Sequence, residues 1–184
     1  MTKQAKILTD AQIKAALATV TDPSDRIMIV LSVKAGLRAC EIAAITWPMV
    51  TDAEGALADV IALPNVATKG KTGGRQIPMH SDIAGELAKV ADRSSYVVRN
   101  SRGTRTNGKA VAQRFKRLYR SLGFEGASSH SGRRTFITRL AHKITAAGGS
   151  IRDVQQLAGH ASLVMTQRYI EGNSDAKRRA VGMI

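Results

Sequence analysis

The sequence predicts a mainly α fold with a small antiparallel β-sheet, an α+β arrangement, and three observations lead there. Apolar residues recur at helical spacing, behind recognisable capping residues, along most of the 184-residue chain. The period changes to strand type in Val60–Leu63 and Arg75–Pro78, which bracket a glycine-rich turn. The composition, 43% hydrophobic and 23% charged, suits one buried core with a solvated surface. No repeat and no low-complexity linker divides the chain, so residues 1–184 are expected to form a single domain.

Taken in order, Thr9 stands as an N-cap and Gln12 closes a capping box, with Ile13, Ala16 and Leu17 on the inward face. A second helix starts around 23–25, where Pro23 suits the first turn. Residues 27–33 are apolar almost throughout, which makes this helix central and buried, and Gly36 stops it. In the short helix that follows, Arg38 lies in the first turn and Glu41 one turn later. Glu41 can orient Arg38, or the two can form an ordinary exposed pair worth at most about 1 kcal/mol. The hairpin carries Lys69 and Lys71 in its tip. A helix is expected over 81–90, with Ile83, Leu87 and Val90 inward, then a short strand over 96–98. Residues 100–109 read as a polar, basic loop. A helix over 110–122 sets Val111, Phe115 and Leu118 on one side and cations on the rest.

Charge narrows the partner. Lysine and arginine number 28 against 14 acids, a formal net charge of +14, which points to a polyanion and first to nucleic acid. Candidate DNA contacts are Lys69, Arg75, Arg102, Arg105, Lys109, Arg114 and Arg117, which line the hairpin, the basic loop and the basic helix. Cys40 is the single cysteine, so an internal disulfide and a thiolate metal cluster are both excluded. The longest apolar run, residues 27–33, is far too short to span a bilayer, and the N-terminus lacks a signal-type segment. A cytoplasmic chain without a membrane partner is expected.

The chemistry-bearing stretch is 129–169. His130 and Arg133 stand three apart at the head of an apolar helical pattern formed by Phe136, Ile137, Leu140, Ala141 and Ile144. That spacing puts both on one face of a helix start, where backbone N–H groups favour an anion, so the pair outlines a phosphate site. After Gly148-Gly149 a helix is expected over 150–158, with Asp153 closing a capping box and Gly159 ending it. His160 follows at once. Tyr169 comes nine residues later, two and a half turns along a last patterned helix.

Together these pieces resemble the tyrosine recombinases, or phage-integrase family. Their catalytic domains carry an arginine in a Gly-Leu-Arg-x-x-Glu box, a hairpin lysine, a His-x-x-Arg box, a Gly-His pair and a tyrosine nine residues after that histidine. Here these are Arg38, a hairpin lysine, His130 with Arg133, His160 and Tyr169, in the same order, and the resemblance runs from about Leu8 to Tyr169. It implies a tyrosine recombinase catalytic-domain fold. It also implies site-specific strand cleavage and rejoining through a 3′-phosphotyrosyl link. Tyr169 is then the nucleophile, His130 its base, and His160 a further donor to the phosphate. Arg38 and Arg133 grip the phosphate oxygens with planar forks that lysine cannot reproduce, and Glu41 supports Arg38. The hairpin lysine protonates the leaving 5′ oxygen. Lys71 is the choice and Lys69 the alternative, because the loop length fits neither position cleanly.

The resemblance implies no metal and no cofactor, and the sequence shows neither a carboxylate cluster of Mg²⁺ type nor a Walker-type loop. It implies double-stranded DNA as partner and a tetramer on two duplexes, with a monomer compatible in the absence of DNA. The family's N-terminal core-binding domain is expected to be absent from this chain, and residues 176–181 are expected to form a tail helix. Two alternatives stay open at this point: a type IB topoisomerase-like DNA-relaxing enzyme, and a non-catalytic DNA-binding regulator.

Overall fold

The computed structural model describes residues 4–65, 74–169 and 181–182. Helix α1, Asp10–Thr19, starts on the Thr9–Gln12 capping box. Helix α2, Pro23–Lys34, has its first turn capped by the Asp22 side chain, which accepts from the Asp25 N–H, and residues 27–33 are buried on every side. Such all-round burial requires neighbours on every face. Helices α3 (Ala39–Ala44), α4 (Ser81–Ala88) and α6 (Ser131–Lys143) supply them together with α1. The α2–α4 contact is locked by Arg26, which donates to both Glu86 oxygens at 2.9 and 2.7 Å and thereby holds that carboxyl down at about 2.

Strands β1 (Val60–Leu63) and β2 (Arg75–Pro78) pair antiparallel, with Val60 opposite Pro78 and Leu63 opposite Arg75. The hairpin tip, with Lys69 and Lys71, lies outside the described residues, as does the 176–180 part of the expected tail helix. Helix α5, Gly108–Ser121, is capped by Asn107 and packs on α3. Helices α7 (Ile151–Ala158) and α8 (Leu163–Gln167) complete the fold, with α7 touching α6, α8 and β2.

Among the described residues the apolar core falls into two clusters. The larger one draws on α1 to α5 and both strands. The smaller one centres on Ile137, Val154 and Ala158, with Phe136, Leu140, Ile151 and Tyr169 around it. Helix α6 bridges them, and its seat on α2 depends on a missing side chain. A Cβ at Gly132 would stand 2.3 Å from Ser32 Oγ and 2.9 Å from Ser32 Cβ.

Four expectations change. The helix expected over 81–90 ends at Ala88. Residues 96–98 make no strand: Tyr96 forms a single bridge with Thr46, while Val97 and Val98 are simply buried in the core. The 110–122 helix starts earlier, because the Asn107 side chain accepts from the Ala110 N–H. Helix α8 is short, so Tyr169 sits in the turn beyond it rather than within a helix.

The packing predicts opposite outcomes for one substitution at two helical glycines. Gly132→Ala forces Ser32 and α2 to yield and is expected to lower stability by about 1 to 3 kcal/mol. Gly85→Ala on α4 meets nothing within 4 Å and is expected to raise stability by up to about 1 kcal/mol. Urea denaturation midpoints of the two variants check both signs.

Candidate active site

The site is built around the end of α7. Gly159 closes that helix in the left-handed region, at φ 60 and ψ 48. The last carbonyls of a helix lack intrahelical partners and carry partial negative charge. Three consecutive ones each receive a different arginine. Arg75 Nε donates to Leu157 O at 3.1 Å, Arg133 Nη2 to Ala158 O at 2.7 Å, and Arg38 Nη2 to Gly159 O at 3.0 Å. The arginines come from β2, from α6 and from the start of α3.

Glu41 anchors two of them. It is fully buried and accepts the Arg38 backbone N–H and Arg38 Nη1, both at 2.8 Å, and Arg75 Nη1 and Nη2, both at 2.9 Å. Burial alone would push its carboxyl up, but the hydrogen bonds and charges of Arg75 and then Arg38 outweigh it and leave the pKa below the ordinary carboxylate value. Arg133, 3% exposed, also donates to Gly36 O at 2.6 Å, the residue that ends α2. Burial, then the neighbouring charge of Arg38, lowers its pKa to about 10, so it stays cationic at neutral pH.

His160 leaves α7 directly beneath these cations. Its backbone is held by Gln155, whose carbonyl accepts the His160 N–H and whose side-chain amide donates to His160 O, both at 3.1 Å. Its ring is buried, with Nδ1 3.0 Å from Thr166 Oγ1, and it stacks on Tyr169 at 5.2 Å between centroids. Burial, reinforced by Arg133, Arg38 and Arg75, pushes the imidazole down to about 4, so it is neutral at pH 7. A 660 Å³ cleft opens beside it, lined by Arg75, Gln76, Arg152 and Gln155 among others. The Tyr169 carbonyl accepts from Thr138 Oγ1 of α6 at 3.1 Å.

Arg38, Arg133, His160 and Tyr169 are therefore brought together, and Glu41 supports Arg38 from below. His130 is exposed at the N-cap of α6, while Arg133 turns inward, so their three-residue spacing puts them at one helix end but at different depths. His130 nevertheless shares a 170 Å³ cavity with Tyr169, Arg134 and Arg168.

Two of the residues expected to contact DNA are already paired within the protein. Arg75 is committed to Glu41 and Leu157 in the interior. Arg114 is committed to Asp25 at 2.7 Å and to Arg99 O at 2.9 Å, because the acidic start of α2 lies against α5. Arg102, Arg105, Lys109 and Arg117 are exposed, with the Arg105 guanidinium 5.3 Å from the centroid of the Tyr96 ring. Sequence reasoning missed Thr166 and Thr138, since neither shares a helical spacing with the residue it serves.

The sequence model of the phage integrase family matches residues 6–175. The chain belongs to the phage integrase family. Among its relatives in this family, tyrosine recombinase XerA of Pyrococcus horikoshii is 25% identical over 185 residues, which cover 96% of this chain and 60% of that protein. Tyrosine recombinase XerC of Pelobacter propionicus is 36% identical over 77 residues, 41% of this chain and 24% of that protein. The chain thus spans less than two thirds of the length of these relatives. Its fold is similar to that of XerA recombinase, with TM-score 0.72, 20% identity, and coverage of 96% of this chain and 64% of that one. It is similar also to the Tn1549 transposon integrase in complex with transposon right end DNA, at TM-score 0.71 and 21% identity over 97% of this chain and 65% of that one. The mainly helical fold with a two-stranded sheet is that of tyrosine recombinase catalytic domains.

The depressed His160 fixes a pH dependence of stability in this chain. The unfolded chain protonates the imidazole at about 6.5 and the folded chain only at about 4, so between these values the unfolded state binds more protons. Stability is expected to fall by about 3 kcal/mol as pH drops through that window. His160→Gln should remove most of the fall, which urea titrations at a series of pH values will read.

Proposed function

We propose that this chain cuts one strand of double-stranded DNA with Tyr169 and rejoins it, by way of a 3′-phosphotyrosyl link, as a site-specific recombinase. The observation that carries this reading is the convergence of Arg38, Arg133 and His160 at the end of α7, with the Tyr169 ring stacked on His160. In the attack, the Tyr169 oxygen bonds to phosphorus as the bond from phosphorus to the 5′ oxygen breaks. Charge grows on the non-bridging oxygens, where preorganised donors act most strongly. Arg38 and Arg133 are cationic and held by fixed partners, so they need little reorganisation to meet that charge. His130 takes the phenolic proton, and its shared cavity with Tyr169 supports this role. The departing 5′ oxygen takes a proton from Lys71, with Lys69 the alternative. Reversal by an incoming 5′-hydroxyl reseals the strand and needs no external energy source.

DNA as partner is supported by the +14 charge and by relatives of the same fold described in complex with DNA, among them the Tn1549 integrase and XerH bound to its difH substrate. Exchange between two duplexes calls for four protomers on the DNA, and DNA processing puts the chain in the cytoplasm. Among the described residues no helix is long and apolar enough to cross a membrane.

Incubation with a nicked suicide DNA substrate is expected to yield a covalent adduct on denaturing gels, mapped by mass spectrometry to the Tyr169 peptide. Tyr169→Phe keeps the ring and its stacking but should give no adduct. Adduct in that variant, or on another tyrosine, would overturn the reading. Tyr119 is a poor competitor, since it is fully buried and burial drives its phenol well above the ordinary tyrosine value.

The arginine forks generate a separate expectation. Arg38→Lys and Arg133→Lys keep charge and lose planar donors, so single-turnover cleavage should fall by about 10²-fold or more while DNA affinity changes little. Quantified adduct formation alongside a binding isotherm measures both.

A further inference from the structure

Thr166 is buried on α8 with 0% exposure, and its hydroxyl lies 3.0 Å from Nδ1 of His160, itself 7% exposed. A hydroxyl has one hydrogen to donate, and burial without an acceptor is costly. The carbonyl one helical turn back, Ser162 O, receives the Met165 N–H and makes no hydrogen bond with Thr166 Oγ1. Nδ1 is the hydroxyl's partner. Were Nδ1 to carry the proton and donate, the hydroxyl hydrogen would be stranded in the core. With Thr166 donating, both groups are satisfied, a bias of at least about fivefold toward the second arrangement. Among the described residues the ring nitrogen on the other side, Nε2, has no hydrogen-bond partner, and His160 lines the 660 Å³ cleft. We propose that the Thr166 hydroxyl, donating to Nδ1, fixes His160 as its Nε2–H tautomer, so that a neutral ring presents a hydrogen-bond donor to the reacting phosphate. Thr166 is thus a positioning residue, and its consequence for catalysis rests on the cleavage reading above.

The surroundings favour a neutral donor. Arg133 from α6, Arg38 from the start of α3 and Arg75 from β2 all oppose a charged ring, and the one carboxylate among them, Glu41, is already paired with Arg38 and Arg75. Tyr169 covers one face of the imidazole. A neutral imidazole donates only through the nitrogen that holds its single hydrogen. The tautomer therefore decides whether His160 gives a hydrogen bond to a phosphate oxygen or competes with it as an acceptor.

The test uses the full chain, labelled with ¹⁵N histidine and free of DNA, at pH 7. Long-range ¹H–¹⁵N spectra read the tautomer of each of the four histidines, and loss of one signal set in His160→Gln assigns the fourth. Wild type is expected as the Nε2–H form, Thr166→Ser as wild type, and Thr166→Val, which keeps the volume, as a mixture of tautomers with averaged nitrogen shifts. An Nδ1–H form in wild type, or Thr166→Val shifts identical to wild type, would overturn the proposal. If Thr166→Val does not fold, the wild-type and Thr166→Ser spectra still decide the tautomer. On DNA, Thr166→Val should lower single-turnover cleavage about twofold, in proportion to the share of His160 that leaves the Nε2–H form, with unchanged affinity, and Thr166→Ser should cleave like wild type. A wild-type chain that shows the Nε2–H form and makes no adduct supports the tautomer assignment and counts against cleavage.

Discussion

The meeting of three guanidinium groups with one buried carboxylate and three consecutive helix-end carbonyls is the constraint on which the rest of the site depends. Positive charges this close repel one another, and the lowered Arg133 pKa registers both its burial and that repulsion. Glu41 pairs with both Arg38 and Arg75, while the end of α7 offers each arginine a carbonyl. One carboxylate cannot balance three cations, so net positive charge is held in place by the fold itself. The reorganisation that water would require has been settled by folding.

The same contacts explain why the two clusters of apolar residues meet where they do. Arg133 ties α6 to the end of α2 through Gly36 and to the end of α7 through Ala158. Close approach at that junction needs absent side chains: a Cβ at Gly36 would meet the Phe136 ring at 2.4 Å, and Gly36 itself holds φ 64. Arg75 carries the connection onward to β2, so the hairpin whose tip bears Lys69 and Lys71 is anchored to the same carboxylate as Arg38. The base of the hairpin and Arg38 share a foundation.

His160 and Tyr169, stacked on each other, lie next to this cationic cluster. A protonated imidazole would add a fourth cation, and the fold avoids it by leaving the ring neutral and satisfying Nδ1 with Thr166. Tyr169 is placed by its backbone, through Thr138 on α6, and by its ring against His160. The first attachment leads back to α6, which carries Arg133, and the second to the end of α7, whose carbonyls the three arginines hold.

Much of this was legible in the amino-acid order. Capping boxes at Thr9–Gln12 and Ser150–Asp153, the apolar run that becomes α2, and the two strands flanking a glycine-rich turn are local signals, because a helix start or a hairpin is decided by residues within a few positions of one another. The ordered set of Arg38, His130, Arg133, His160 and Tyr169 was legible too, since its spacing is a property of the chain. Tertiary structure alone decided what those side chains touch. Arg75 and Arg114 look like two more surface cations in a strongly basic chain, and only the packing of β2 on α7 and of α5 on α2 turns them inward to carboxylates. The Arg38–Glu41 pair has the spacing of an exposed helix pair, yet Glu41 is fully buried because α3 is pressed between α2 and α5. Thr166 lies six positions from His160, a separation with no helical meaning, and the two meet because the chain turns after Gly159. Burial and partnership across such distances are set by how elements stack, which no window of sequence contains.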